Sequence, residues 1–390
     1  MFNNVGKMDK CCGCKLCKYV CKTNAISYVE DSNGFYYPKI DNTKCVNCAM
    51  CIKNCPSINN IKNNQPKYIY SYNDKKGKKN SASGGAFRTI ATQLLRRGYI
   101  VYGAAFNENM KVSHIRIASE NDLDKMCNSK YIQSDMENVY ASITKDISND
   151  NKILFSGTPC QVSAIKNYFK VQNDNKFVLV DILCRGVPNQ FSFDRCIAFE
   201  EKKKNIKITS FRFRKRVNGD PHGYEYTYVK NGKSKRKVGH YFEFPFYRCF
   251  LEYAILRKEC YSCNYSTSNR VSDLTIGDFW GIEKYTNADS NKGISLVMPN
   301  TIVGEQILKI LNANLNFKIN FDEYSFNEAL IRPAKLKSTD LRQNFFEHLN
   351  DLDSELFEKI VLPSNLSKEL RHSKIPYFIK RFYHKIKGIN

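Results

Sequence analysis

Acidic residues are scarce in this 390-residue chain: 38 Asp and Glu stand against 61 Lys and Arg, a formal charge of +23. The deficit makes an acidic partner the expectation, whether nucleic acid, an anionic membrane surface, an acidic redox protein or a phosphorylated cofactor. No run of eighteen or more uncharged apolar residues occurs, which excludes a conventional membrane-spanning helix. Met1 to Lys10 has no apolar stretch of the kind a secretory signal requires, so the expected location is the cytoplasm. The basic residues are dispersed and no RNA- or DNA-binding motif is present, so nucleic acid is not the expected partner.

Cysteine, by contrast, is abundant, with sixteen in the chain. Cytosolic thiols are kept reduced, so metal ligation is a better reading than a disulfide framework. The spacing Cys11-x2-Cys14-x2-Cys17-x3-Cys21 recurs as Cys45-x2-Cys48-x2-Cys51-x3-Cys55, followed by Pro56. In the bacterial two-cluster ferredoxin pattern three closely spaced thiolates grip one 4Fe–4S cubane while the fourth crosses to the other. The expected sets are Cys11, Cys14 and Cys17 with Cys55, and Cys45, Cys48 and Cys51 with Cys21. Zinc is the competing metal, but its sites favour two CxxC pairs or Cys/His mixtures. Two departures are visible: Lys22 stands where proline often follows the fourth cysteine, and Cys12 is an extra thiol.

Between the repeats, Asn33-Gly34 within "AISYVEDSNGFYYPKID" predicts a hairpin turn. Residues 1–60 are therefore expected to form a two-cluster ferredoxin-type domain, and the polar, Asn-rich stretch after it a linker, 61–67. From Tyr68 strand and helix signals alternate. "YIYSYN", "YIVYGAAF", "KILFSG" and "KFVLVDILC" predict strands, and "GGAFRTIATQLLRRG" and "QVSAIKNYF" predict helices. The texture is mixed α/β with a partly parallel sheet over 68–330, followed by a helical C-terminal region, 331–390.

Open α/β sheets bind ligands at loops following their strands. Three such loops stand out: "SASGGAF" at 81–87, "SGTPCQ" at 156–161 and "LCRGVP" at 183–188. Gly84 and Gly85 before a helix suit either a phosphate or an ordinary serine-capped turn. Cys160 and Cys184, with Cys260-x2-Cys263, make four further thiols. Spacing leaves open whether they hold a third cubane or are buried structural cysteines.

The phrases "SASGGAF", "SKYIQSD", "SGTPCQ", "DILCRGVP", "CYSCNY", "SDLTIGDFWG" and "NKGISLV", in that order, resemble the coenzyme F420 hydrogenase/dehydrogenase beta-subunit family of iron–sulfur flavoproteins. The resemblance implies an FAD site lined by Ser83, Gly84 and Gly85, with Lys130, Gln133 and Ser134 nearby. It also implies a third 4Fe–4S cluster on Cys160, Cys184, Cys260 and Cys263, and a ferredoxin or other low-potential donor as redox partner. A flavin converts between single electrons and hydride, which suits cubanes feeding an organic acceptor. The acceptor is left open between coenzyme F420 and a small molecule linked to polysaccharide biosynthesis. A non-catalytic electron-transfer subunit docked to a separate enzyme is the alternative.

Two further signals remain. In "FRFRKRV", Arg212, Arg214 and Arg216 alternate, so a regular strand would present three guanidiniums on one face, for an anion or for solvent. In "SKIPYFIKRFYHKIKG", apolar Ile375, Phe378, Ile379, Phe382 and Ile386 recur at helical spacing among lysines. This basic amphipathic tail suits either docking on its own protein or peripheral membrane contact.

Overall fold

The computed structural model describes residues 10–59, 65–74, 80–171, 175–288, 293–311, 314–324 and 327–349, with Phe357 and Val361. The basic tail at 374–387 lies outside these residues. In the N-terminal module, β1 (Ile26–Glu30) and β2 (Tyr36–Ile40) pair antiparallel. Their turn forms as the sequence predicts: Asp31 Oδ1 accepts from Asn33 N and Phe35 N, and Gly34 takes the left-handed conformation. Short helices Leu16–Tyr19 and Met50–Lys53 carry the two cysteine repeats.

The main body begins with β3 (Tyr68–Tyr72), β4 (Tyr99–Phe106), β5 (Val112–Ile117), β6 (Lys152–Gly157) and β7 (Phe177–Ile182). Next come β8 (Lys207–Val217), β9 (Asp220–Lys230) and β10 (Lys233–His240), then β11 (Leu274–Asp278), β12 (Ser295–Pro299) and β13 (Leu315–Asn320). Eight of these form one mixed sheet in the order β13-β3-β12-β11-β7-β6-β4-β5. Its central pairs β11·β7, β7·β6 and β6·β4 are parallel, while β12, β13 and β5 run antiparallel to their neighbours.

The central strands are apolar along their whole length because both faces are covered. Helices Ala86–Leu95 and Ile302–Leu311 pack over one face, burying Ile90, Leu94, Val303 and Leu311 on Val101, Leu154 and Val178. Helices Val139–Ser148 and Pro159–Phe169 cover the other, where Tyr140, Ile143, Val162 and Ile165 meet Ile153, Phe155 and Leu179. The N-terminal module packs on this second layer, with Cys12, Cys14, Leu16 and Val20 in the same apolar cluster.

The module makes a packed contact with the main body that is rich in backbone-directed hydrogen bonds. Gln133 Nε2 donates to Cys12 O at 2.8 Å, Tyr140 Oη to Cys14 O at 2.8 Å and Tyr265 Oη to Pro56 O at 2.7 Å. Arg257 reaches Cys11 O and Tyr36 O at 3.1 and 3.0 Å, and Lys15 Nζ pairs with Asp135 and Glu137 at 2.8 and 2.9 Å. Gly13 permits the approach: at φ +70°, a Cβ there would meet Gln133 Nε2 at 2.6 Å and Arg257 Nη2 at 2.7 Å.

Strands β8, β9 and β10 form a separate antiparallel sheet whose β9–β10 turn is Asn231-Gly232, both at positive φ as that dipeptide favours. Its apolar face packs on helices Gln190–Lys204, Pro245–Leu251 and Thr339–His348 through Phe193, Phe211, Phe213, Phe246 and Phe345. The expected alternation of three arginines along β8 does not occur. The register shifts around Arg214, which sits at φ +60° and turns inward, while Arg212 is half-buried and Arg216 exposed. A bulge of this kind re-aims one side chain at the expense of regular pairing.

Candidate functional site

Strand β12 is antiparallel to both β11 and β3, so β3, β11, β7, β6 and β4 all run the same way. Their C-terminal ends share one edge of the sheet. The loop 81–87 follows β3, Cys160 follows β6, Cys184 follows β7, and Asp278 and Trp280 close β11. This is where an open α/β sheet offers strand ends and helix N-termini to a ligand.

Thiols gather in the N-terminal module and at this edge. Cys11, Cys14 and Cys17 surround the Tyr28 hydroxyl, which lies 3.2 Å from Cys17 Sγ, and Cys17 feels the charge of Cys55. Cys51 feels Cys48 and Cys21. Cys45 faces Asn47, donating to its Oδ1 at 3.8 Å. Cys184, Cys260 and Cys263 are mutual neighbours, and Cys160 neighbours Cys263, so the four cysteines drawn from three segments converge. Backbone amides point at three of the sulfurs: Gly13 N at Cys11, Ala25 N at Cys21 and Gly186 N at Cys184, at 3.4, 3.3 and 3.3 Å. Such N–H···S contacts orient metal-binding thiolates and tune their potential.

Burial pushes the thiols up, Cys11 to about 12 and Cys17, Cys55 and Cys184 to about 11. A metal centre must therefore displace their protons. Among the described residues no three Cys, His, Asp or Glu side chains gather tightly enough to hold a single metal ion.

Cys12 links two of the groups. Buried, it lies near Cys14 and Cys55 on one side and Cys160 and Cys263 on the other. The first repeat and the Cys160–Cys263 group are therefore neighbours around this residue. The segment behind Cys263 is clamped by buried Arg270, which pairs with Asp181 at 3.0 Å. Arg270 also donates to Tyr265 O and Thr267 O, both at 3.1 Å. Gly186, at φ +113°, lets the 183–188 loop pass Cys260, since a Cβ there would lie 2.9 Å from the Cys260 Cβ.

On the other side of the same edge, cations converge without enough acceptors. Gly85 caps helix Ala86–Leu95 in the left-handed conformation, and Ser83 Oγ donates to Ile294 O at 2.9 Å, fixing the loop against β12. The β8 bulge brings Arg214 to Asp278 at 3.1 Å, with Trp280 under its guanidinium at 5.3 Å and Ala82 O at 3.5 Å. Arg88 pairs with Asp124, yet its Nε, like that of Arg214, is buried without an acceptor. Lys130 is enclosed with only the carbonyls of Cys127 and Asn128 as acceptors, at 2.8 and 3.3 Å, and burial pushes its amine down to about 7. Buried cationic donors lacking acceptors are costly unless an anion completes them. The donor set suits a phosphate-bearing ligand.

Two residues grouped with this loop on the sequence are engaged elsewhere. Gln133 bonds Cys12 O and accepts from Arg257 Nε at 2.9 Å, placing it at the module contact. Ser134 is buried between His114 Nδ1 at 2.8 Å and Gln161 Nε2 at 3.0 Å. Arg88, Arg257 and Arg270 had no sequence signal, since each acts through the tertiary neighbours it finds. The thiol of Cys12 was visible as a surplus cysteine, but its position was not.

Two stretches of the chain match known families. Residues 150–321 match the family described as the C terminus of the coenzyme F420 hydrogenase/dehydrogenase beta subunit, and residues 10–59 match a 4Fe-4S dicluster domain. An uncharacterised ferredoxin of Methanocaldococcus jannaschii is 39% identical over 49 residues, 13% of this chain, and the chain spans 62% of that protein's length. Among solved structures, a chain of the F420-reducing NiFe hydrogenase complex from Methanosarcina barkeri aligns at 14% identity with a TM-score of 0.44, covering 77% of this chain and 94% of that one. Residues 150–321 thus belong to the family formed by the C-terminal regions of coenzyme F420 hydrogenase/dehydrogenase beta subunits, joined in one polypeptide to a 4Fe-4S dicluster domain at residues 10–59.

Proposed function

We propose that the chain is an iron–sulfur flavoprotein oxidoreductase that carries electrons between a low-potential donor and an organic acceptor. Cys11, Cys14, Cys17 and Cys55 hold one 4Fe–4S cluster, and Cys45, Cys48, Cys51 and Cys21 a second. Cys160, Cys184, Cys260 and Cys263 hold a third. A cubane spreads its four thiolates over four irons, so the wider grouping of these thiols suits it better than one shared ion. The observation that carries the reading is the convergence of Cys160, Cys184, Cys260 and Cys263 from three segments at the sheet edge, with buried Cys12 near both Cys14 and Cys160.

FAD is the ligand that best answers the anion site. Ser83 and Gly85 shape the loop that receives it, and Arg88, Lys130 and Arg214 supply charge to its phosphates. Flavin supplies interconversion of one-electron and two-electron chemistry. The chain's part is to bind and orient: Arg214, held by Asp278 and flattened on Trp280, fixes one wall, and the buried amine of Lys130 takes up a proton when an anion arrives. The acceptor fitting the matched family is coenzyme F420, and a polysaccharide-linked small molecule is the alternative acceptor. Anaerobic purification with iron, sulfide and flavin quantified tests the reading. About twelve irons and one FAD per chain are expected for three cubanes, and zinc-loaded, colourless protein refutes it.

A further inference from the structure

The two cysteine repeats share a backbone. Lys15 and Ala49 occupy the same position before their short helices at φ 62° and 60°, and Gly13 and Asn47 also match, at φ 70° and 54°. Their environments differ. In the first repeat Cys12 and Leu16 are 7% and 0% exposed, buried against the α/β body. The equivalent positions of the second repeat are Val46 and Met50, 66% and 40% exposed, with Cys48 itself at the surface.

The first repeat shows what this face does. It buries apolar side chains on a neighbour, and its lysines Lys15 and Lys18 pair with carboxylates there, Asp135 and Glu137. The second repeat leaves the equivalent apolar positions exposed, with Ala49 and Ile52 standing where the first repeat has Lys15 and Lys18. Lys22, Lys44 and Lys53 are exposed, Lys44 next to Cys45, Lys53 between Cys51 and Cys55, and Lys22 next to Cys21. Of these only Lys44 has a carboxylate close by, Asp41 at 3.4 Å. Residues 10–59 carry seven lysines against Glu30, Asp31 and Asp41. Exposed apolar residues on a basic module mark an interaction surface.

We propose that the face around Val46, Cys48 and Met50 docks an acidic protein carrying a one-electron redox centre, which exchanges electrons with the cluster of the second repeat. This rests on the iron–sulfur reading above. In the reductive direction the partner's centre loses one electron and the oxidised cluster gains it, with no bond or proton changing place.

The test uses the full chain, purified without oxygen, and an acidic 2Fe–2S ferredoxin whose spectrum is distinct from that of a cubane. Stopped-flow mixing of the pre-reduced ferredoxin should reduce the wild-type chain at a rate that falls with salt. Lys44→Glu with Lys53→Glu should slow that reduction about tenfold or more, and Val46→Asp should slow it at all salt concentrations. Iron content and bleaching by dithionite should stay at the wild-type level. Carbodiimide should crosslink the ferredoxin to Lys44 or Lys53. Variants reduced by ferredoxin as fast as wild type overturn the docking alone, as does a chain that covers this face by self-association that Val46→Asp abolishes. A wild-type chain without iron that dithionite does not bleach overturns the cluster reading, and the docking with it.

Discussion

Lys130 offers the sharpest quantitative test of the anion site. In the free chain its amine is pushed down to about 7 by burial, so at pH 8 it is mostly neutral. A phosphate arriving within about 4 Å contributes about 4 kcal/mol at an effective dielectric near 20, roughly three pK units, which lifts the amine to about 10 in the complex. The sign follows from linkage: the bound form holds the proton more tightly, so affinity is highest below the free pKa and declines as pH climbs toward the bound value. Between pH 7 and 9 FAD should bind roughly fifty-fold more weakly, about 2.3 kcal/mol. Titration of deflavinated protein by flavin fluorescence quenching measures the slope, and calorimetry in buffers of different ionisation enthalpy measures the proton taken up. Lys130→Arg keeps a permanent charge and should flatten the profile. Lys130→Met should flatten it too, at weaker affinity. Wild-type affinity that changes less than about threefold over this range would refute the argument that a buried, neutral lysine faces the phosphates.

Three other outcomes are expected. Arg270→Met strips the partner from fully buried Asp181 and should cost about 3–5 kcal/mol in chemical denaturation, whereas the double change with Asp181→Leu should recover much of it; equal losses would mean the pair itself contributes little. Buried His114 is held neutral, its pKa lowered to about 4, so stability is full above pH 6.5 and falls as pH drops toward 4. About 2 kcal/mol should be lost by pH 5, and His114→Gln should remove most of that dependence in urea melts. Cys12 is assigned to no cluster, so Cys12→Ala should keep its iron while Cys11→Ala loses about four irons per chain; iron loss in Cys12→Ala would make Cys12 a ligand.

Parts of this protein were legible without tertiary structure because their causes are local. The cysteine spacing specifies the dicluster segment, since a cubane reads thiolates a few residues apart on one turning loop. Asn33-Gly34 and Asn231-Gly232 form turns because those residues tolerate positive φ. The apolar runs 99–106 and 152–157 became β4 and β6 over the same residues, being strands buried on both faces.

What tertiary structure alone decided depends on segments far apart meeting. Cys160 and Cys184 come together because parallel crossovers bring the ends of β6 and β7 to one edge of the sheet, and the 258–263 segment before β11 brings Cys260 and Cys263 to them. Arg214 leaves the alternation expected of a regular strand because Asp278 and Trp280, over sixty residues away, reward a bulge. Gln133 and Cys12 gained their places from the docking of the N-terminal repeat, which no spacing within either segment encodes. Spacing sets which residues a loop can present; only the packed sheet decides what each of them meets.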